Sequence, residues 1–255
     1  MIVREQKDAF ILIEQDNHAI VSGKIMEHWI SSFFQGEHWR SVQYAIKYHD
    51  YGWKPFDQQP FWNECRQAPY TFANYPISPK TIIYTFGIDF VEKNDPYAAL
   101  LCSRHYSRFL LNDTSSYSAA FIEQERNRQQ RIVESLGVLD SSLFNYHYEL
   151  LRFGDDISLY LCLNEPGVSK EKEHYFFQNG IKLPVELEDK KITQMTLHWR
   201  NKHTVSVRPF PFDGTVTVKI KQKVIPKPDL IKYGLIKCYT EQPYEEMEVL
   251  IVPEE

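Results

Sequence analysis

Three histidines and a set of carboxylates are the residues in this chain best suited to chemistry. His49 and Asp50 are adjacent in the run HDYGWKPFD, just before Gly52. Nine His and 13 Asp in 255 residues give about half of one such pair by chance, so the setting carries the signal. Neighbours on a helix point about 100° apart and cannot share a face, but at a helix end both side chains can turn toward one ion. An ion held by nitrogen and oxygen needs more than two ligands. His18 offers a third from the first turn of the preceding helix, and Asp155 or Asp156 a fourth from the last helix of the N-terminal block. Together they would hold a divalent metal ion: Mn, Fe, Mg or Zn. Such an ion lowers the pKa of a bound water and polarises a phosphoryl oxygen. Asp50 is the residue most able to bridge two ions or accept a proton. His105 would ligate a second ion or donate to a phosphate oxygen. Asp57 is a candidate general acid or base, or equally a turn cap, and Lys54 and Arg104 are candidate anion contacts.

Each of these residues also has a plainer role when taken alone. His18 reads as a helix-start residue, His49-Asp50 as a polar helix end, and His105 as a hydrogen-bonded core histidine. Asp155-Asp156 reads as a restart cap after Gly154. The other six histidines lack comparable context and read as surface or packing residues.

Helices must position the candidate ligands. Asp16 or Asn17 can cap a first helix running to about Phe33, with Val21, Ile25, Trp29 and Phe33 at helical spacing. A second helix covers about 37–50 and is stopped by Gly52. Residues 53–79 hold five of the 14 prolines and seven aromatics. That density forbids a long regular element and predicts an ordered aromatic flap at the entrance of the site. Ser78-Pro79 and Asp95-Pro96 open two more helices. Another runs from Ser116 to Leu136, closed by Gly137, and Asp140 caps the last, which continues to Leu163 with a weak point at Gly154. Residues 164–174 read as a linker. Beyond it come strands: TQMTLHW, TVSVRPF, TVTVKIKQKV and MEVLIV. The first residues, IVREQKDAFILIEQ, read as two short strands around a turn at Gln6 to Asp8, able to pair with the C-terminal ones.

The motifs carry a family resemblance. The order His18, His49-Asp50, Asp155/Asp156 resembles the HD superfamily of metal-dependent phosphohydrolases, whose ion sits on a helical bundle. A closer resemblance is to an uncharacterised bacterial family, a domain of unknown function with an HD-like core. It rests on four features: MIVR at the start; Asp16, His18, Ala19, Ser22 and Gly23 as D-x-H-A-x-x-S-G; HDxGW with Asp57 four residues after Trp53; and D-x-x-S-L-x-L-C from Asp155 to Cys162. The match covers most of 1–163. It implies an α+β fold: an HD-like bundle of about six helices plus a sheet of C-terminal and N-terminal strands. Residues 1–165 would form the helical domain and 166–255 a β-rich segment packed on it, able to make one compact domain. The implied activity is that of a metal-dependent phosphohydrolase acting on a small phosphorylated metabolite or nucleotide. A di-iron oxygenase of the inositol-oxygenase type, or a non-catalytic sensor module on the same bundle, are the alternatives. Spacing to Ser158-Leu159 favours Asp155 over Asp156, and helical neighbours leave both open.

Composition narrows the classes. With 29 basic and 34 acidic residues the chain is mildly acidic, which argues against a nucleic-acid partner. The local exception is a stripe of Lys219, Lys221 and Lys223 on one face of a strand, read as solvated. The longest apolar run, Tyr97 to Cys102, falls far short of the roughly 18 residues a membrane span needs. The charged start lacks a signal-peptide pattern, so a cytoplasmic location is expected. The four cysteines form no CxxC pair and read as reduced, mostly buried thiols.

Overall fold

The computed structural model describes residues 1–187 and 192–255. The first residues form a hairpin, β1 (Ile2–Glu5) and the wholly apolar β2 (Ala9–Ile13), in register from Ile2 opposite Ile13 to Glu5 opposite Phe10. The helices α1 (Gln15–Met26), α2 (Trp39–Tyr48), the single turn α3 (Lys54–Asp57), α4 (Ile77–Glu92), α5 (Pro96–Leu110), α6 (Ser116–Leu136) and α7 (Ser141–Leu163) follow. A small hairpin, β3 (Trp62–Asn63) and β4 (Ala68–Pro69), lies between α3 and α4. The C-terminal part holds β5 (Ile181–Leu187), β6 (Ile192–Asn201), β7 (Thr204–Arg208), β8 (Val216–Pro226), α8 (Lys227–Tyr233), α9 (Leu235–Glu241) and β9 (Glu245–Pro253). No helix among the described residues is long and apolar enough to cross a membrane.

Seven strands form one mixed sheet in the order β1-β2-β8-β9-β7-β6-β5, with β7 and β9 parallel and the other pairs antiparallel. Strand β8 joins the chain ends. Its first part pairs with β9 and its last residues, Lys223 to Pro226, pair with β2. The N-terminal strands therefore belong to the same sheet as the C-terminal ones. Val218 and Ile220 of β8 point into the main core, shared with Ile25 of α1 and Leu161 of α7.

The helix count exceeds the expected six. Among the described residues there are eight helices plus the single turn α3. Two of them, α8 and α9, lie in the segment read as strands. Lys227-Pro228 with Asp229 in the first turn is a good helix start, and Gly234 at φ +78° separates the pair. These helices cover the outer sheet face, setting Leu230, Leu235 and Tyr239 on Phe10, Leu12 and Ile225. That cover breaks the lysine stripe. Lys219 and Lys221 are exposed. Lys223 is buried, donates to the Tyr239 carbonyl at 2.6 Å, and lies 4.2 Å from the Tyr239 ring centroid.

Other boundaries moved for identifiable reasons. Helix α1 starts after Glu14 and ends at Met26 rather than Phe33, because Trp29 bridges to Phe212 and Ile30 donates to the Pro211 carbonyl at 3.2 Å. Pro76, not Ser78, precedes α4, with no side-chain cap. Asp95 and Asp140 cap α5 and α7 as their sequence suggests, and Ser115 caps α6. Helix α7 runs unbroken through Gly154, so the glycine is no weak point. A Cβ there would lie 2.8 Å from Met26 Cγ and Ser22 Oγ, so its absence lets α7 sit against α1. The 164–174 linker is firmly tied. Buried Asn164 accepts from Arg4 at 2.7 Å through its carbonyl and from the His174 amide at 2.6 Å through its side chain. Cys102, Cys162 and Cys238 are buried and Cys65 is exposed, all free thiols.

Candidate metal centre

Three helices bring the ligands together. His18 stands in the first turns of α1, His49 caps the C-terminal end of α2, and Asp155 projects from the middle of α7. One atom from each lies within 4.8 Å of the others, and all three residues are buried. Asp155 Oδ1 is 3.6 Å from His18 Nε2 and 3.5 Å from His49 Nε2. Asp50 joins from the other side, its Oδ2 2.9 Å from His18 Nε2 and 3.7 Å from His49 Nε2.

Hydrogen bonds fix which atoms face inward. Ser158 Oγ donates its one proton to the Asp155 carbonyl at 3.0 Å, so it must accept from His18 Nδ1–H at 2.7 Å. That leaves the His18 Nε2 lone pair toward the cluster. His49 Nδ1–H donates to the Ile46 carbonyl at 2.7 Å, and His49 Nε2 is buried with no hydrogen-bond partner. The cluster therefore gathers two imidazole Nε2 atoms and the oxygens of Asp50 and Asp155 at one buried point, where the metal-free protein holds a proton on His49 between the carboxylates. Such a set is satisfied by a cation. His18, His49 and Asp155 could hold a metal ion, and the mix of imidazole and carboxylate suits Mn, Fe or Zn.

A supporting layer surrounds these ligands. The Tyr106 hydroxyl donates to Asp50 Oδ1 and lies 2.7 Å from the His49 carbonyl, while Gln15 Nε2 donates to Asp50 Oδ2 at 3.0 Å. In sequence Ser158 stands out only as part of the D-x-x-S-L motif, Tyr106 only as the neighbour of His105, and Gln15 carries no local mark. Partners that orient a ligating histidine typically contribute about 10- to 100-fold in metal affinity. A Ser158→Ala protein is accordingly expected to stay folded and bind Mn²⁺ about tenfold more weakly in a metal titration.

The electrostatics follow from burial and charge. Burial alone would lower the pKa of His49, but the negative charges of Asp50 and Asp155 outweigh it and raise the value to about 9 from 6.5. Burial also opposes ionisation of Asp50 and Asp155, yet the adjacent histidines hold both below the usual carboxylate range. Burial pushes His105 down to about 3. Because the folded value of His49 lies above 6.5, its charge stabilises the metal-free protein fully below pH 6.5, and that contribution disappears as pH rises through 9. A ligand must lose its proton first. Mn²⁺ affinity is therefore expected to rise about tenfold per pH unit approaching pH 9, with one proton released per ion, measurable by calorimetry in buffers of different ionisation enthalpy.

The other sequence candidates divide. His105 stands beside the cluster, its Nε2 3.6 Å from Asp155 Oδ2. Asp156 lines the same cavity but makes no ion pair with the histidines among the described residues; burial and the charge of Asp155 raise its pKa to about 7. Asp57 faces elsewhere. It accepts from the Met1 amino group and the Gln15 amide, both at 2.6 Å, so it holds the start of α1 and does not line the cavity. Lys54 pairs with Asp16 at 3.5 Å. Arg104 donates to Asn145 and stacks 4.4 Å from the Tyr148 ring. Neither lines the cavity. Lys80 and Arg108 do, and no local motif marked them.

The ligands open onto a cavity of about 390 Å³, whose walls include Trp53, Phe72, Tyr84 and Phe109. The aromatic flap thus contributes Trp53, Phe72 and Ala73, while Trp62 packs against Phe10 at the second core. A larger cavity of about 520 Å³ lies between Phe10, Trp62 and Leu235. Its lysine, Lys227, is already bonded to Glu5 at 2.7 Å, and it lacks a ligand cluster.

The chain matches no curated protein and no solved structure. Residues 1–227 match the family described as Protein of unknown function (DUF3891). That match spans every cluster residue and reaches the start of α8, so the chain belongs to this family of unknown function.

Proposed function

We propose that this protein is a metal-dependent phosphohydrolase of the HD type, acting on a small phosphorylated metabolite or nucleotide. One observation carries the reading. Buried acceptors from three helices and Asp50 converge at the wall of a cavity large enough for one small ligand. The order His18, His49-Asp50, Asp155 along α1, α2 and α7 resembles that of the HD superfamily and supports the reading. A divalent ion held there supplies an acidified water and a Lewis acid for a phosphoryl oxygen. Within the chain, Tyr106 fixes one Asp50 oxygen and leaves the other toward the ligands, where it can take a proton from the attacking water. His18 and His49 present unprotonated nitrogens once an ion displaces the shared proton.

His105 favours a second reading. A third buried imidazole 3.6 Å from Asp155 suits a two-metal site, as in a di-iron oxygenase of the inositol-oxygenase type. Metal analysis of the purified protein, then a phosphatase and nucleotidase panel with Mn²⁺ and Fe²⁺, tests the first reading. Asp50→Ala should abolish turnover, and full activity in that variant overturns the mechanism. Two irons per chain with oxygen-dependent turnover would replace it with the second.

A further inference from the structure

Two cations of the cavity wall make no ion pair with a carboxylate among the described residues. Lys80, on the first turns of α4, is buried to 7% exposure, yet its ammonium makes only a 3.5 Å contact with the Ala73 carbonyl. The carboxylate that acts on it, Asp113, stands beyond ion-pairing distance and is itself bonded to Ser115. Arg108 follows His105 by one turn of α5 and also makes no ion pair among the described residues. A buried ammonium is unfavourable unless it finds an anion, and Asp50 and Asp155 are already engaged with the histidines. The remaining carboxyl on this wall is Asp156, which Arg108 influences without pairing.

Both cations line the cavity onto which the ligands open. Lys80 is one turn before Tyr84, whose ring stacks 4.0 Å from Tyr106, and Tyr106 donates to Asp50. Arg108 shares a helix face with His105, which reaches Asp155. We infer that Lys80 and Arg108 form an anion subsite that grips the phosphoryl group of a phosphomonoester while its organic part rests among the aromatic rings of the cavity. This rests on the phosphohydrolase reading and adds the substrate class to it. A phosphomonoester carries close to two negative charges near neutral pH, enough to counter both cations. A phosphodiester carries one and leaves a cation unmatched. The guanidinium can bind two phosphate oxygens at once, while the ammonium acts as a point charge. Phe109 and Phe176, each 48% exposed, stand on the cavity wall and can cover the ester's organic part.

The test is calorimetric titration of inorganic phosphate into Mn²⁺-loaded protein, comparing the parent with Lys80→Met and Arg108→Met and measuring metal content in each. Methionine keeps an unbranched apolar stem at the buried position, and Lys80→Arg provides a variant that retains the charge. The parent should bind phosphate, and dimethyl phosphate at least about tenfold more weakly. Each methionine variant should lose about 10- to 100-fold in phosphate affinity, as expected for a charge-assisted hydrogen bond, with metal content unchanged. Lys80→Arg should recover most of the loss. Failure of the parent to bind phosphate, or unchanged affinity in Lys80→Met, overturns the subsite. Lys80-dependent binding in a parent that hydrolyses no ester would leave the subsite standing and overturn the phosphohydrolase reading. Hydrolysis that Lys80→Met leaves intact would do the reverse.

Discussion

An Asp155→Ala protein is expected to lose divalent metal on the order of 10³-fold, beyond the 10- to 100-fold that supporting residues cost, whereas Asp156→Asn keeps its metal. Asp155 faces all three histidines, with Oδ1 3.6 Å from His18 and 3.5 Å from His49 and Oδ2 3.6 Å from His105. Without it the metal-free cluster also loses one of the two charges that hold the His49 proton, so metal-free stability changes as well. Melting curves separate these effects. Saturating Mn²⁺ at 100 times its Kd should stabilise the parent by about 2.7 kcal/mol and leave Asp155→Ala unmoved. Stabilisation of Asp155→Ala by Mn²⁺ at that concentration would remove Asp155 from the ligand set. Loss of metal in Asp156→Asn would show that the wrong member of the pair had been chosen.

Gly52→Ala should be the most destabilising single-methyl change in the bundle. Gly52 lies in the short turn that follows His49 and Asp50, packed directly on α4. A Cβ there would stand 2.2 Å from the Ile83 carbonyl oxygen and 3.0 Å from the Gly87 amide nitrogen. Both are backbone atoms of a regular helix and cannot rotate away, so the turn or the helix must shift. Overpacking of this kind costs about 3 kcal/mol. For a chain of this size that lowers Tm by roughly 6–12 °C. The shift also moves Asp50 against Tyr106, so metal affinity should fall with stability. Gly137→Ala is the control. It has a comparable place at a helix end, with φ +81° and no atom within 4 Å of the added Cβ. It should cost about 1–3 kcal/mol of backbone strain and leave metal binding unchanged. Equal losses of metal affinity in the two variants would mean that Gly52 acts through overall stability rather than through its close approach to α4.

Gly52 also marks a limit of local pattern. In sequence it reads as a helix stop, the commonest reason for glycine after a helix. The structure uses it for a helix contact with residues more than 30 positions away, which no window around residue 52 contains. Gly154 is a parallel case. It reads as a weakness in α7 and instead lets α7 sit against α1, setting the height of Asp155 beside His18.

Local rules worked where the decisive partners were local. The caps Asp95 and Asp140, the end of α6 at Gly137, and the β1–β2 hairpin all rest on neighbours within a few residues, and the chain alone determined them. The order of His18, His49-Asp50 and Asp155 was equally legible, since residue type and helix placement are sequence properties. Distances were not. Which of Asp155 and Asp156 faces the histidines depends on the rotation of α7, set by its packing on α1 and α2. Asp57 could not be assigned from its motif, because its partner is the amino group of Met1, brought beside it by the β1–β2 hairpin. Lys80 and Arg108 carry no local mark, since an unpaired cation is visible only once every carboxylate has been placed. The sequence by itself determined the main helices of the N-terminal block, most of the strands and the candidate ligands, because short-range propensity and periodicity encode them. Only tertiary packing decided which acceptors converge and which cations remain without a counter-ion, because those depend on the summed geometry of elements far apart in the chain.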